Sequence, residues 1–212
     1  MTPPPSPLPS LDPRTTQLVR LAAALAGSDE ARVRLEMTAA LDLEVPVPWV
    51  EELVLQTYLF AGFPRALNGA REWRRLLGER GIPTPPDVPD DAATFRARGE
   101  ETCAVVYGPF YGRLRENIRA LHPALDEWMI VEGYGKVLSR PGLDLGRREL
   151  CIVAACAATG QDRQLHAHLH GARHAGVGPG VVAAAVAALA DLIPSEPLTR
   201  ARLLLVRVLG RP

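Results

Sequence analysis

The chain has 212 residues, long enough for one large domain or for two small ones that each bury a core. Its 24 lysines and arginines are matched by 24 aspartates and glutamates, so no global field gathers nucleic acid or an anionic membrane surface, and neither is expected as a partner. There is no apolar run long enough to span a bilayer and no basic start followed by an apolar stretch at the N-terminus, and Cys103, Cys151 and Cys156 lack the spacing of a disulfide framework or a zinc site; the expectation is a cytoplasmic protein with buried free thiols.

Ala, Leu, Val and Arg dominate, aromatic residues are few and alternating β-branched runs are almost absent, which predicts an all-α chain of long amphipathic helices. Residues 1–10 read as a disordered, proline-rich tail. Asp12 stands where an N-cap carboxylate accepts orphan N–H groups, and Pro13 suits the first helical position, so a first unit over residues 11–80 opens on a capped helix. A proline-rich connector is expected over 81–92, followed by a second unit over 93–212. Helices are predicted there over 93–106, 111–121 and 124–136. Asp144 then caps a helix over 145–158, Thr159 and Gly160 turn the chain, and a helix over 163–175 stops at Gly176. The last segment, 180–192 and 198–209, is broken at Pro194 and Pro197. Its stretch from Val181 to Leu192 is too apolar to be left in water, which predicts a homo-oligomer.

Residues 11–50 can be laid on 143–182 without a gap. Leu11 and Asp12 match Leu143 and Asp144, Leu18 matches Leu150, Ala22 and Ala23 match Ala154 and Ala155, Ala40 matches Ala172, and Val45 and Val50 match Val177 and Val182. One helical hairpin has been used twice.

In the second copy Leu165, His168, Leu169 and Ala172 fall on one apolar stripe, so His168 points inward. His166, His170 and His174 lie four apart on a more polar face. An i, i+4 pair of this kind can bind zinc, but no carboxylate or cysteine completes the set, and no metal is expected. Glu149 precedes the Gly160 turn by eleven residues and His168 follows it by eight, so their heights in an antiparallel hairpin differ by only about 4 to 5 Å. They can share one pocket. A carboxylate beside an imidazole fixes which ring nitrogen carries the proton and equips the ring for proton transfer; the alternative is a buried pair tying two helices together. In the first copy Gln17 and Glu36 occupy these positions, so the same chemistry is not expected there, and Trp49, Tyr58, Phe60 and Phe63 are expected to be packing or interface residues.

The run HPALDEWMIVEGYGKVLSRPGLDLGRREL and the following TGQDRQLHAHLHGARHAGV resemble the core of carboxymuconolactone decarboxylases: a Tyr-Gly helix end, an Arg-Pro-x-Leu turn, an Arg-Glu-Leu helix start and a mid-helix histidine. VPWVEELVLQTYLFAGFPRALNGAREW is similar to the family's closing helix pair. The resemblance implies tandem helical-hairpin units of the alkylhydroperoxidase D-like type. It also implies a cofactor-free lyase acting on a small carboxylated lactone or related acid, with His168 as proton donor and Glu149 orienting it. Loss of CO₂ leaves a dienolate, which needs a cation near the departing carboxylate and an acid for the new C–H bond. Arg140, Arg147 and Arg148 flank the hairpin's start and are candidates for the cation, with Tyr134 as a hydrogen-bond donor. Alkylhydroperoxidase D-type relatives attack peroxides or disulfides with a Cys-x-x-Cys pair; Gln161 and Gln164 stand there in this chain, which disfavours that activity. The remaining alternative is a non-catalytic oligomeric or ligand-binding relative. A pocket shared by His168, Glu149 and an arginine favours the enzyme, and a sealed hairpin favours the relative.

Overall fold

Asp12 accepts a hydrogen bond from the Thr15 N–H and opens α1 (Pro13–Gly27); Asp29 does the same with Arg32 and opens α2 (Glu30–Asp42). The computed structural model describes residues 11–78 and 91–210, so the predicted tail and residues 81–90 of the predicted connector lie outside the described residues. α3 (Val47–Leu77) is kinked at Gly62, two residues before Pro64. Asp91 caps α4 (Ala92–Tyr107), so the helix begins inside the span expected to be connector. A short 3₁₀ turn leads to α5 (Tyr111–Leu121), which lies on the surface with no buried residue.

The helix predicted over 124–136 is two elements: α6 (Pro123–Trp128) and a π-helix (Met129–Leu138) that continues it. This wider coil lies against α4 almost backbone to backbone. A Cβ on Gly99 would fall on the carbonyl oxygen of Ile130, and one on Gly135 on that of Phe95. After the Asp144 cap come α7 (Leu145–Thr159), ended by left-handed Gly160, α8 (Asp162–His174), α9 (Pro179–Ala187) and α10 (Ser195–Leu209). Among the described residues there is no strand, and no helix is long and apolar enough to cross a membrane.

The helix boundaries repeat. Thr15 and Arg147, which hydrogen-bond to each other, are 132 residues apart. The same spacing separates both ends of α1 from those of α7, both ends of α2 from those of α8, the start of α3 from that of α9, and the end of α3 from that of α10. α1 and α7 pack side by side in the same direction. Thr15 meets Arg147 near their starts, Leu18 meets Cys151, and Gly27 lies against Ala158 at their ends. A contact between positions so spaced is what an approximate two-fold axis between these helices produces.

Leu18, Leu21 and Leu25 of α1, Leu53 of α3, Leu150 and Ile152 of α7, and Leu165 and Leu169 of α8 belong to one buried core. Val182, Val186 and Leu189 join it. One face of the apolar stretch from Val181 to Leu192 is therefore buried within its own chain, while Ala184, Ala187 and Ala190 are exposed.

Candidate active site

The apolar stripe of α8 turns His168 toward α7 as its period requires: Leu165, Leu169 and Ala172 are buried, and His168 is only 4% exposed. Across the hairpin, Glu149 is fully buried. The His168 Nδ1 lies 2.8 Å from the Glu149 Oε2. With the carboxylate ionised, Nδ1–H is the donor, and Nε2 has no hydrogen-bond partner among the described residues. Gly171, one turn after His168, makes room for the pair, since a Cβ there would strike the Glu149 Oε2 and the Val106 side chain.

Residues 123–205 match the carboxymuconolactone decarboxylase family. That span is a carboxymuconolactone decarboxylase family domain. It contains both Glu149 and His168. No curated protein matches the chain.

Aromatic rings close around the histidine of this family domain. Phe60 of α3 meets the His168 ring edge-on at 5.6 Å, and Tyr107 of α4 does so at 6.4 Å. Tyr107 in turn stands edge-on to Tyr134 of the π-helix, with ring centroids 6.4 Å apart. Burial first, and the Glu149 carboxylate next to it, push Tyr107 up to about 12; burial also holds Tyr134 well above the usual tyrosine range. Both remain neutral O–H donors near neutral pH. The second Glu149 oxygen, Oε1, is buried without a hydrogen-bond partner among the described residues. An orphaned carboxylate oxygen is costly in a structural pair, and at a reaction centre it is an acceptor held in reserve.

Of the predicted substrate-binding residues, only Tyr134 joins His168. Arg140 donates three hydrogen bonds to Glu52 at 2.9–3.1 Å. Arg148 is fully buried and donates to Glu52 at 2.8 Å, to Gln56 at 3.2 Å, and to the carbonyls of Leu143 and Arg140. Arg147 lies 4.0 Å over the Trp49 ring and is bonded to Asp144 and Thr15. Neighbours in sequence, Arg148 and Glu149 leave α7 on different sides and end in different clusters. Trp49 packs as expected, whereas Phe60 belongs to the site. Sequence reasoning missed Phe60, Tyr107 and Glu52. For Glu52 a signal existed, because Glu52 and Gln56 stand i, i+4 inside an apolar run and so mark a polar face that must be satisfied.

In the first half, Gln17 and Glu36 repeat the bridge between hairpin helices. Gln17 donates to Glu36 at 2.7 Å, and Arg20 and Arg32 also bind that carboxylate, at 3.0 and 2.9 Å. No imidazole is present, and the acid is fully engaged. His166, His170 and His174 run along α8 with ring separations of 5.0 and 6.4 Å, and Nδ1 of His174 is bonded to the Val106 carbonyl. Among the described residues no group of three or more His, Cys, Asp or Glu is placed to hold a metal ion.

Gln161 and Gln164 are exposed at the start of α8, and the cysteines lie elsewhere, all buried. Burial, reinforced by the nearby Glu149 carboxylate, pushes the Cys156 thiol up to about 12; Cys103 is raised as far, chiefly by burial. Burial likewise raises Cys151. All three are thiols, not thiolates, at pH 8. Native protein is therefore expected to react with an aromatic disulfide reagent at least about 100-fold more slowly than protein in guanidinium, where all three should titrate. Fast reaction of a native thiol would reopen the peroxidase reading.

Proposed function

We propose that the protein is a cofactor-free lyase of the carboxymuconolactone decarboxylase type, acting on a small carboxylated lactone or related acid through proton transfer at His168. The observation that carries the reading is the 2.8 Å contact that fixes His168 Nδ1 on a buried Glu149 and leaves Nε2 without a partner among the described residues, beside the rings of Phe60 and Tyr107. The C–C bond to the leaving carboxylate breaks, its electron pair enters the conjugated system as a dienolate, and protonated His168 delivers the Nε2 proton to carbon. Glu149 stabilises the imidazolium before transfer and holds its orientation after it. The neutral hydroxyls of Tyr107 and Tyr134 are the donors available to the dienolate oxygen. Arg140 and Arg148 are held by Glu52, and Arg147 by Asp144 and Trp49, so none of the three arginines expected near the departing carboxylate is placed beside His168.

The near-complete burial of Glu149 and His168 favours a second reading, a non-catalytic relative in which the pair only ties α7 to α8. In either case the first half reads as a degenerate copy of the family unit, supported by the constant helix spacing and by Gln17 and Glu36 at the positions of Glu149 and His168. The two readings separate when CO₂ release from carboxylated lactones is followed with purified wild-type protein and the His168→Ala variant. Release that requires His168 supports the lyase. A folded wild type that releases none favours the relative.

A further inference from the structure

A cavity lined by none of the residues around His168 opens between α3, α4 and the π-helix, with a volume of about 580 Å³, a size suited to a small molecule. Its wall is largely apolar. Tyr58 and Phe63 stack face to face at 4.7 Å on one side, with Leu67 and Phe95 beside them. Phe63 and Leu67 leave half or more of their surface in water at the mouth. Two polar features break this wall. Trp73 is 1% exposed, yet its indole N–H is buried with no acceptor among the described residues. Arg140 lines the cavity, and together with Arg148 it faces a single carboxylate, Glu52, so one positive charge is left over; the other lining cations, Lys136 and Arg74, are each matched by Glu132 and Glu51. The Arg140 Nη1 makes no hydrogen bond among the described residues.

We propose that this cavity binds a small molecule built of an apolar ring and one carboxylate. The ring lies against Tyr58, Phe63 and Phe95. The carboxylate accepts the Trp73 indole N–H and neutralises the charge that Arg140 and Arg148 hold in excess over Glu52. Each part answers a specific lack: a buried donor without an acceptor, two guanidinium groups sharing one carboxylate, and aromatic surface without cover. The inference stands on this cavity alone and is independent of any turnover at His168.

The test uses 1-naphthoate as probe and the neutral 1-naphthylmethanol as control, with the indole N–H resonances of full-length protein followed by NMR. The Trp73 signal is assigned by its loss in Trp73→Phe. Naphthoate is expected to shift that signal saturably and the alcohol to bind at least about tenfold more weakly, since a charge-assisted hydrogen bond is lost. Arg140→Gln cancels the excess charge, and Leu67→Glu puts a like charge at the exposed mouth where folding is not at stake; each should weaken naphthoate binding about tenfold or more. His168→Ala should leave it unchanged. The proposal is overturned if folded wild type shows no saturable shift up to about 10 mM naphthoate, if the alcohol binds equally well, or if Arg140→Gln and Leu67→Glu both retain wild-type affinity.

Discussion

Glu52→Ala is expected to lower the free energy of unfolding by about 3–5 kcal/mol, a large share of the roughly 5–15 kcal/mol available to a domain of ordinary stability. Glu52 holds Arg140 through three hydrogen bonds and Arg148 through one. Arg148 is fully buried, and burial acts to lower its affinity for the proton, yet a guanidinium does not shed its charge in a protein. Without Glu52 that charge is left in the interior beside Arg140, with Gln56 and two carbonyls as its remaining acceptors. Glu52→Gln should cost less, because one acceptor oxygen survives. The surface pair Arg34–Glu72, in which the arginine is exposed, provides the contrast, and Arg34→Ala should cost no more than about 1 kcal/mol. Urea denaturation of the variants beside wild type gives the comparison. A cost for Glu52→Ala as small as that of the surface pair would mean that Arg148 is hydrated and that the cluster does not anchor α3 to α7.

Features governed by local chemistry or by helical period could be read from the sequence. Asp12 and Asp144 cap their helices because the caps involve only residues three positions on. The pairing of Glu149 with His168 was legible because the stripe through Leu165, His168 and Leu169 fixes direction and the Gly160 turn fixes height. The arginines were not legible. Proximity to the hairpin in sequence says nothing about which side of α7 a guanidinium leaves from, and the acid that captures Arg148 is 96 residues away. Phe60 and Tyr107 reach His168 from α3 and α4, contacts that only tertiary packing creates. The π-helix was also hidden, because the apolar pattern over 124–136 suits an α-helix and the wider coil accompanies a close approach to α4 that no local pattern announces. The apolarity of the span 181–192 is only partly used within the chain, where Val182, Val186 and Leu189 join the core and Ala184, Ala187 and Ala190 stay exposed.

His168→Ala is expected to reduce decarboxylation about 10²- to 10⁴-fold, the range contributed by a positioned proton donor, while the fold survives. Glu149→Gln should reduce it less, because the amide still contacts Nδ1 but supplies no negative charge to hold the imidazolium. A purely structural pair behaves differently. Removing the imidazole would leave both oxygens of a fully buried carboxylate without partners, where Oε1 already lacks one, and stability would fall by a few kcal/mol with activity following only the folded fraction. The decisive measurement is CO₂ release per folded molecule for wild type and His168→Ala, with melting temperature recorded on the same samples. The account predicts a loss of at least about 100-fold at temperatures where the variant is fully folded; an active wild type whose folded His168→Ala variant keeps its full turnover would contradict it.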